Sequence, residues 1–135
     1  MREILFRGKR YCNGTWVEGS LLAWPDGSTE ICYDNPENDD ELLKSIVYPE
    51  TVGQYTGLTD KNGKKIFEGD ILEEKIRTCP GKDGSPKYRT RKYIVRYDAW
   101  TFRLEGIGAR GKPSRCMHNL YAIGNIHDNP ELLEV

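Results

Sequence analysis

Short stretches in which apolar and polar residues alternate, separated by Gly, Pro, Asn and Asp, recur along this chain and predict strands joined by turns. Ile4, Phe6 and later Tyr11 stand among Arg7, Lys9 and Arg10, which predicts an opening strand over residues 3 to 11 with a strongly solvated second half. Asn13-Gly14 turns the chain, residues 15 to 23 return, and Trp24-Pro25-Asp26-Gly27 puts Pro and Gly in turn positions. Residues 29 to 33 then pair back, giving a meander of three strands. Asp34-Asn35-Pro36-Glu37 interrupts it. Asn35 can cap a helix that Pro36 opens, and Glu37, Asp39, Asp40 and Glu41 suit its positive end. Leu42, Leu43, Ile46 and Val47 fall on one helical face, so a short helix is predicted there, ended before Pro49.

Residues 51 to 58 alternate again and lead to Asn62-Gly63, the strongest hairpin signal in the chain. The returning segment from Ile66 to Leu72 runs on into residues 73 to 77, and its Gly69-Asp70-Ile71-Leu72 step, a sharp turn feeding an apolar strand, resembles the entry to a strand in small SH3-like barrels. Residues 78 to 90, with Pro80, Gly81, Gly84 and Pro86 among lysines and arginines, have no period and read as a loop. Strand character returns over residues 91 to 97, with Tyr93, Val95 and Tyr97 on one face and Lys92, Ile94 and Arg96 on the other. A turn at Asp98-Ala99 sets this strand against residues 100 to 105, whose Trp100, Phe102 and Leu104 share a face. Residues 106 to 114 are loop, residues 117 to 126 a last strand, and Asp128-Asn129-Pro130-Glu131 opens a final helical turn. The tetrapeptide Asp-Asn-Pro-Glu thus occurs at 34 and at 128, and reuse of one capping solution explains it better than duplication.

The expected fold is mainly β: a small SH3-like barrel element with meander strands and short helices after Asn35 and Asn129. A chain of 135 residues has the size of one domain, so residues 1 to 135 are expected to form a single unit. No apolar run approaches the roughly 18 residues that cross a bilayer, and Arg7 precedes any signal-peptide core, which predicts a cytoplasmic protein without a membrane partner. Cys12, Cys32, Cys79 and Cys116 form no Cys-x-x-Cys pair, and reduced thiols are expected in place of a zinc knuckle or disulfides.

Several blocks together resemble the YopX family: residues 1 to 9, Trp16-Val17-Glu18-Gly19-Ser20-Leu21, the long run from Pro49 to Ile71, and Ile123-Gly124-Asn125-Ile126-His127-Asp128-Asn129-Pro130-Glu131-Leu132-Leu133. The resemblance covers both ends and the centre, while residues 73 to 116 follow it only loosely, as a variable basic insert would. It implies a phage or prophage origin in a bacterial host and a β-rich fold. It brings no catalytic residue and no cofactor.

Charge changes the picture most. The net charge of −1 conceals segregation: residues 1 to 74 carry −7, residues 75 to 115 carry +9, and the remainder carries −3. Lys75, Arg77, Lys82, Lys87, Arg89, Arg91, Lys92, Arg96 and Arg103 are interleaved with Tyr88, Tyr93, Tyr97 and Trp100, a mixture suited to phosphate neutralisation with base stacking. Lys87, Tyr88, Arg89, Arg91, Lys92, Tyr93, Arg96, Trp100 and Arg103 are the candidate binding residues. The competing reading is that acidic and basic segments meet, within one molecule or between copies of a homo-oligomer.

Candidate chemistry is otherwise thin. Gly106-Ile107-Gly108-Ala109-Arg110-Gly111 satisfies G-x-G-x-x-G, but Lys112-Pro113-Ser114-Arg115 cannot continue as the helix that a dinucleotide site needs. His118 and His127 are nine apart, which puts them on opposite faces of a regular strand and argues for structural roles over a metal or base pair. Asp39, Asp40 and Glu41 are explained by a helix start without a metal, and no serine sits in a nucleophile elbow. The expected function is therefore non-enzymatic: an accessory protein that binds nucleic acid or a protein, with self-assembly as the alternative.

Overall fold

The structure is a computed structural model that describes residues 3–98, 101–108 and 119–134. Ten strands dominate it: β1 (Phe6–Lys9), β2 (Trp16–Ala23), β3 (Thr29–Asn35), β4 (Asn38–Ile46), β5 (Gly53–Thr59), β6 (Lys65–Phe67), β7 (Asp70–Thr78), β8 (Lys87–Asp98), β9 (Thr101–Gly106) and β10 (Leu120–Asn125). The chain divides into two compact units, residues 1–57 and 58–135. Among the described residues no helix is long and apolar enough to cross a membrane.

In the first unit, β1, β2, β3 and β4 form consecutive antiparallel pairs, and β5 returns to pair with β1 on its other side. The meander is thus as the alternation predicts, with Asn13 closing the first turn by accepting the Thr15 N–H at 3.0 Å. Val17, Ile31 and Val47 make the core, with Phe6, Leu21, Tyr33 and Val52 packed against it.

The predicted helix after Asn35 is not formed; residues 38–46 are strand β4. The Asn35 side chain caps a hairpin turn instead, accepting the Glu37 N–H at 3.0 Å with Pro36 between them. Register shows why the helical spacing misleads. Leu43 lies opposite Tyr33 and Val47 is buried, while Leu42 and Ile46 are 70% and 57% exposed, so the four apolar residues divide between two sheet faces. Asn35 pairs with Asn38 but Asp34 with Leu42, which leaves Asp39, Asp40 and Glu41 in a bulge at the edge of the sheet. A bulge and clustered charge are what keep an edge strand from pairing with other chains, and this replaces the helix-start role expected for the three acids.

The second unit begins where the end of β5 turns into β6 around Asn62-Gly63, Gly63 taking the positive φ of +81° that the turn demands. The segment from Ile66 to Leu72 is two strands, β6 and β7, with the sharp turn predicted at the Gly69-Asp70 step between them. Gly69, at φ +88°, turns the chain so that the Phe67 N–H donates to the Asp70 carboxylate at 2.8 Å. The Gly69 N–H reaches the Val95 carbonyl, and the Gly69 carbonyl accepts from the Ile126 N–H. β7 ends at Thr78, one residue past the predicted strand, whereas β8 starts at Lys87, so residues 87–90, expected as loop, are strand and pair with residues 75–78 of β7. The sheet order is β10-β7-β8-β9, all antiparallel. Ile66, Leu72, Tyr93, Val95 and Leu120 form the core beneath it, joined by Phe102, Leu104 and Ala122.

The fold is mainly β, as expected, but the described strands make two antiparallel sheets and no closed barrel. The two Asp-Asn-Pro-Glu copies also differ in use. The first makes the β3–β4 turn, whereas the second precedes a 3-10 helix at Pro130–Leu133, with the Asn129 carboxamide accepting the Asn125 N–H at 3.2 Å.

Candidate nucleic-acid interface

A strand that pairs along its length sends successive side chains to opposite faces, so the β7–β8 register sorts the basic residues. Lys75 lies opposite Thr90, Arg77 opposite Tyr88 and Glu73 opposite Lys92, and these share one face with Tyr121, which lies opposite Glu73 on β10. Arg89 and Arg91 fall on the other face, the one that carries Leu72, Tyr93 and Val95 into the core. The candidate residues therefore do not form one continuous patch.

Along the sheet they divide again. Near the β8–β9 end the cations face carboxylates of their own unit. Arg96 Nε donates to Glu105 at 3.0 Å, Arg103 Nε stands 3.3 Å from Asp98, Lys92 lies opposite Glu73, and Arg91 opposite Glu74. Towards the β7–β8 loop, acids run out. Residues 75 to 90 hold Lys75, Arg77, Lys82, Lys87 and Arg89 against Asp83 alone, all five cations are exposed, and among the described residues none of them makes an ion pair. This end of the hairpin is an arm of concentrated positive charge.

Tyr93 does not belong to the interface. It is 1% exposed within the core, and burial pushes its phenol upward, with the neighbouring Glu74 carboxylate adding to the rise and Arg91 opposing it. Trp100 lies outside the described residues, as do Cys116 and His118. Tyr88, by contrast, is 60% exposed on the arm.

On the Lys75 face an open groove of about 590 Å³ is lined by Lys61, Lys75, Arg77, Tyr88, Thr90, Asn119 and Tyr121. The Lys61 and Lys75 ammonium groups sit 5.9 and 5.5 Å from the centre of the Tyr121 ring, which holds both cations at the groove by cation–π attraction. Lys61, Asn119 and Tyr121 are absent from any reading of sequence. Lys61 comes from the β5–β6 turn, Tyr121 from the start of β10 and Asn119 from the residue before it; pairing of β10 with β7 brings the latter two to the basic segment, and the clamp at Asp60 ties the Lys61 turn to β10.

Asp60 is buried, and its Oδ1 accepts the Asn62 and Lys64 N–H groups while Oδ2 accepts that of Ala122, each at 2.9 Å. The Lys61 N–H adds a bond to the Leu120 carbonyl at 3.1 Å, fixing Lys61 beside Tyr121 and covering the outer edge of β10. Burial works against the charged carboxylate, but the three backbone donors prevail and hold its pKa below the ordinary value. Asp60→Asn is expected to cost about 2 kcal/mol at neutral pH by breaking charge-assisted bonds. Because the folded carboxylate is the weaker base, its contribution is present above the ordinary value of 3.8 and disappears as pH falls through the lowered one. Urea melts of both proteins at neutral pH and near pH 3 check this: the gap between them should narrow in acid.

The His127 N–H closes a turn on the Asn125 side chain at 3.0 Å. Cys12, Cys32 and Cys79 are free thiols, and among the described residues no three His, Cys, Asp or Glu side chains group to hold a metal ion.

Among solved structures, the chain is similar to the crystal structure of protein EF1440 from Enterococcus faecalis. The two are 25% identical, with a TM-score of 0.59, and the match covers 99% of this chain and 100% of the other. No curated protein matches. The model of the YopX protein family matches residues 5–134, and the chain belongs to that family.

Proposed function

We propose that this protein is a non-enzymatic accessory factor, of phage or prophage origin, that binds nucleic acid through the basic arm formed by β7 and β8. One observation carries the reading: five exposed cations against one acid on residues 75 to 90, beside β8–β9 cations that face acids of their own unit. Such a surface suits phosphates, whose neutralisation releases counterions and makes binding strongly salt-dependent. Tyr88 and Tyr121 supply aromatic surface beside the charge, as small β proteins that bind nucleic acid commonly do. The SH3-like character of the Gly69-Asp70-Ile71-Leu72 step is consistent with that usage, although the strands do not close.

The test is equilibrium binding of oligonucleotides across a salt series. Up to five neutralised phosphates predict a log–log slope of about −3 to −5, and no binding at low salt would remove the reading. A second reading, assembly of copies, is favoured by the acidic bulge of Asp39, Asp40 and Glu41, which offers the arm of another copy an opposite charge. Light scattering decides it: a mass above one chain that falls to the monomer in salt supports assembly, and a monomer at high concentration defeats it.

A further inference from the structure

We infer that the groove beside the arm seats one unpaired nucleotide, so that the protein selects single-stranded over duplex nucleic acid. The inference rests on the phosphate-binding reading above and adds to it what the groove's uncharged groups do. Arg77 and Tyr88 are directly opposite each other across β7 and β8, and the next pair on the same face is Lys75 and Thr90. A charge for a phosphate therefore stands beside an exposed ring for a base, and two residues further on a second charge stands beside a hydroxyl.

The roles of the two tyrosines differ. Tyr121 is half-buried and serves as the support on which the Lys61 and Lys75 ammonium groups rest. Tyr88 stands out from the arm and, among the described residues, has no ring contact, which leaves its face for a base to stack on. Thr90 and Asn119 bring a hydroxyl and a carboxamide to the same groove, where they can meet a base edge or a sugar hydroxyl. A volume of about 590 Å³ is of the size that holds a small ligand, which a single nucleotide is. A duplex hides its base faces by stacking and can present only phosphates, so it would use the cations and leave Tyr88 idle.

Fluorescence anisotropy at one salt concentration, with oligothymidine, its duplex with oligoadenine, and heparin as probes, tests the inference. The native protein should bind oligothymidine more tightly than the duplex. Tyr88→Ala should weaken oligothymidine binding by about tenfold or more, Tyr88→Phe should restore it, and duplex and heparin binding should stay within about twofold. Tyr88 lies on the exposed arm, so an unchanged melting curve confirms that the variant folds. Duplex binding equal to that of the single strand, or an equal loss for all three probes, overturns the nucleotide seat while leaving the phosphate reading standing. Failure of every probe to bind the native protein overturns both.

Discussion

Reversing Lys75 and Arg77 to glutamate is expected to weaken oligonucleotide binding about a hundredfold at about 50 mM salt, because two released counterions are lost and two repulsive charges are added. The positions follow from the register. Both are exposed, both point to the groove face, and neither has a carboxylate opposite it. The fold should tolerate the change, since what is lost locally is the contact of Lys75 with the Tyr121 ring, worth on the order of 1 kcal/mol. Replacing Arg96 and Arg103 by alanine is the matching control. Their partners are Glu105 and Asp98, so binding should change by less than about threefold. A loss from the Arg96 and Arg103 variant equal to that from the Lys75 and Arg77 variant would mean that the arm does not govern binding.

Tyr93→Ala is expected to produce the largest loss of stability, about 3–5 kcal/mol, because it empties a ring-sized space among Ile66, Leu72, Val95 and Leu120. A domain of this size has roughly 5–15 kcal/mol to lose, so the melting temperature should fall by many degrees. Tyr93→Phe keeps the ring and should cost about 1 kcal/mol or less. Thermal or urea melts separate this from a ligand-binding role: an alanine variant that melts normally yet loses its ligand would place the ring at the ligand after all.

Tyr93 also shows what sequence can and cannot say about the site. Its alternation with Val95 and Tyr97 is legible, and the structure keeps that face together. Which face is covered is not legible, because Lys92 and Arg91 flank it equally and only pairing with β7 decides. The same limit hides the division of the cations: Arg91 opposite Glu74 and Arg96 bonded to Glu105 depend on register, and a one-residue slip would exchange their surroundings. The failed helix has a different cause. Leu42, Leu43, Ile46 and Val47 fit two periods at once, and Asn35-Pro36 suits a turn as well as a cap, so the neighbouring strand β3 decided the outcome. Local turn chemistry is legible at Asn13-Gly14 and Asn62-Gly63, where an Asn-Gly pair has no competing helical use. Lys61 and Tyr121, sixty residues apart, meet because the Asp60 carboxylate and the Lys61 N–H both tie their turn to β10.

Ligand is expected to reach the protein through the β7–β8 arm. Backbone amide NMR during titration with a short single-stranded oligonucleotide measures this most directly. Shifts should concentrate at Lys61, Lys75, Arg77, Tyr88, Thr90 and Tyr121 while Arg96, Arg103 and residues 1 to 57 stay still. Shifts centred on the β8–β9 end or on the first unit, or a spectrum that does not move, would contradict it.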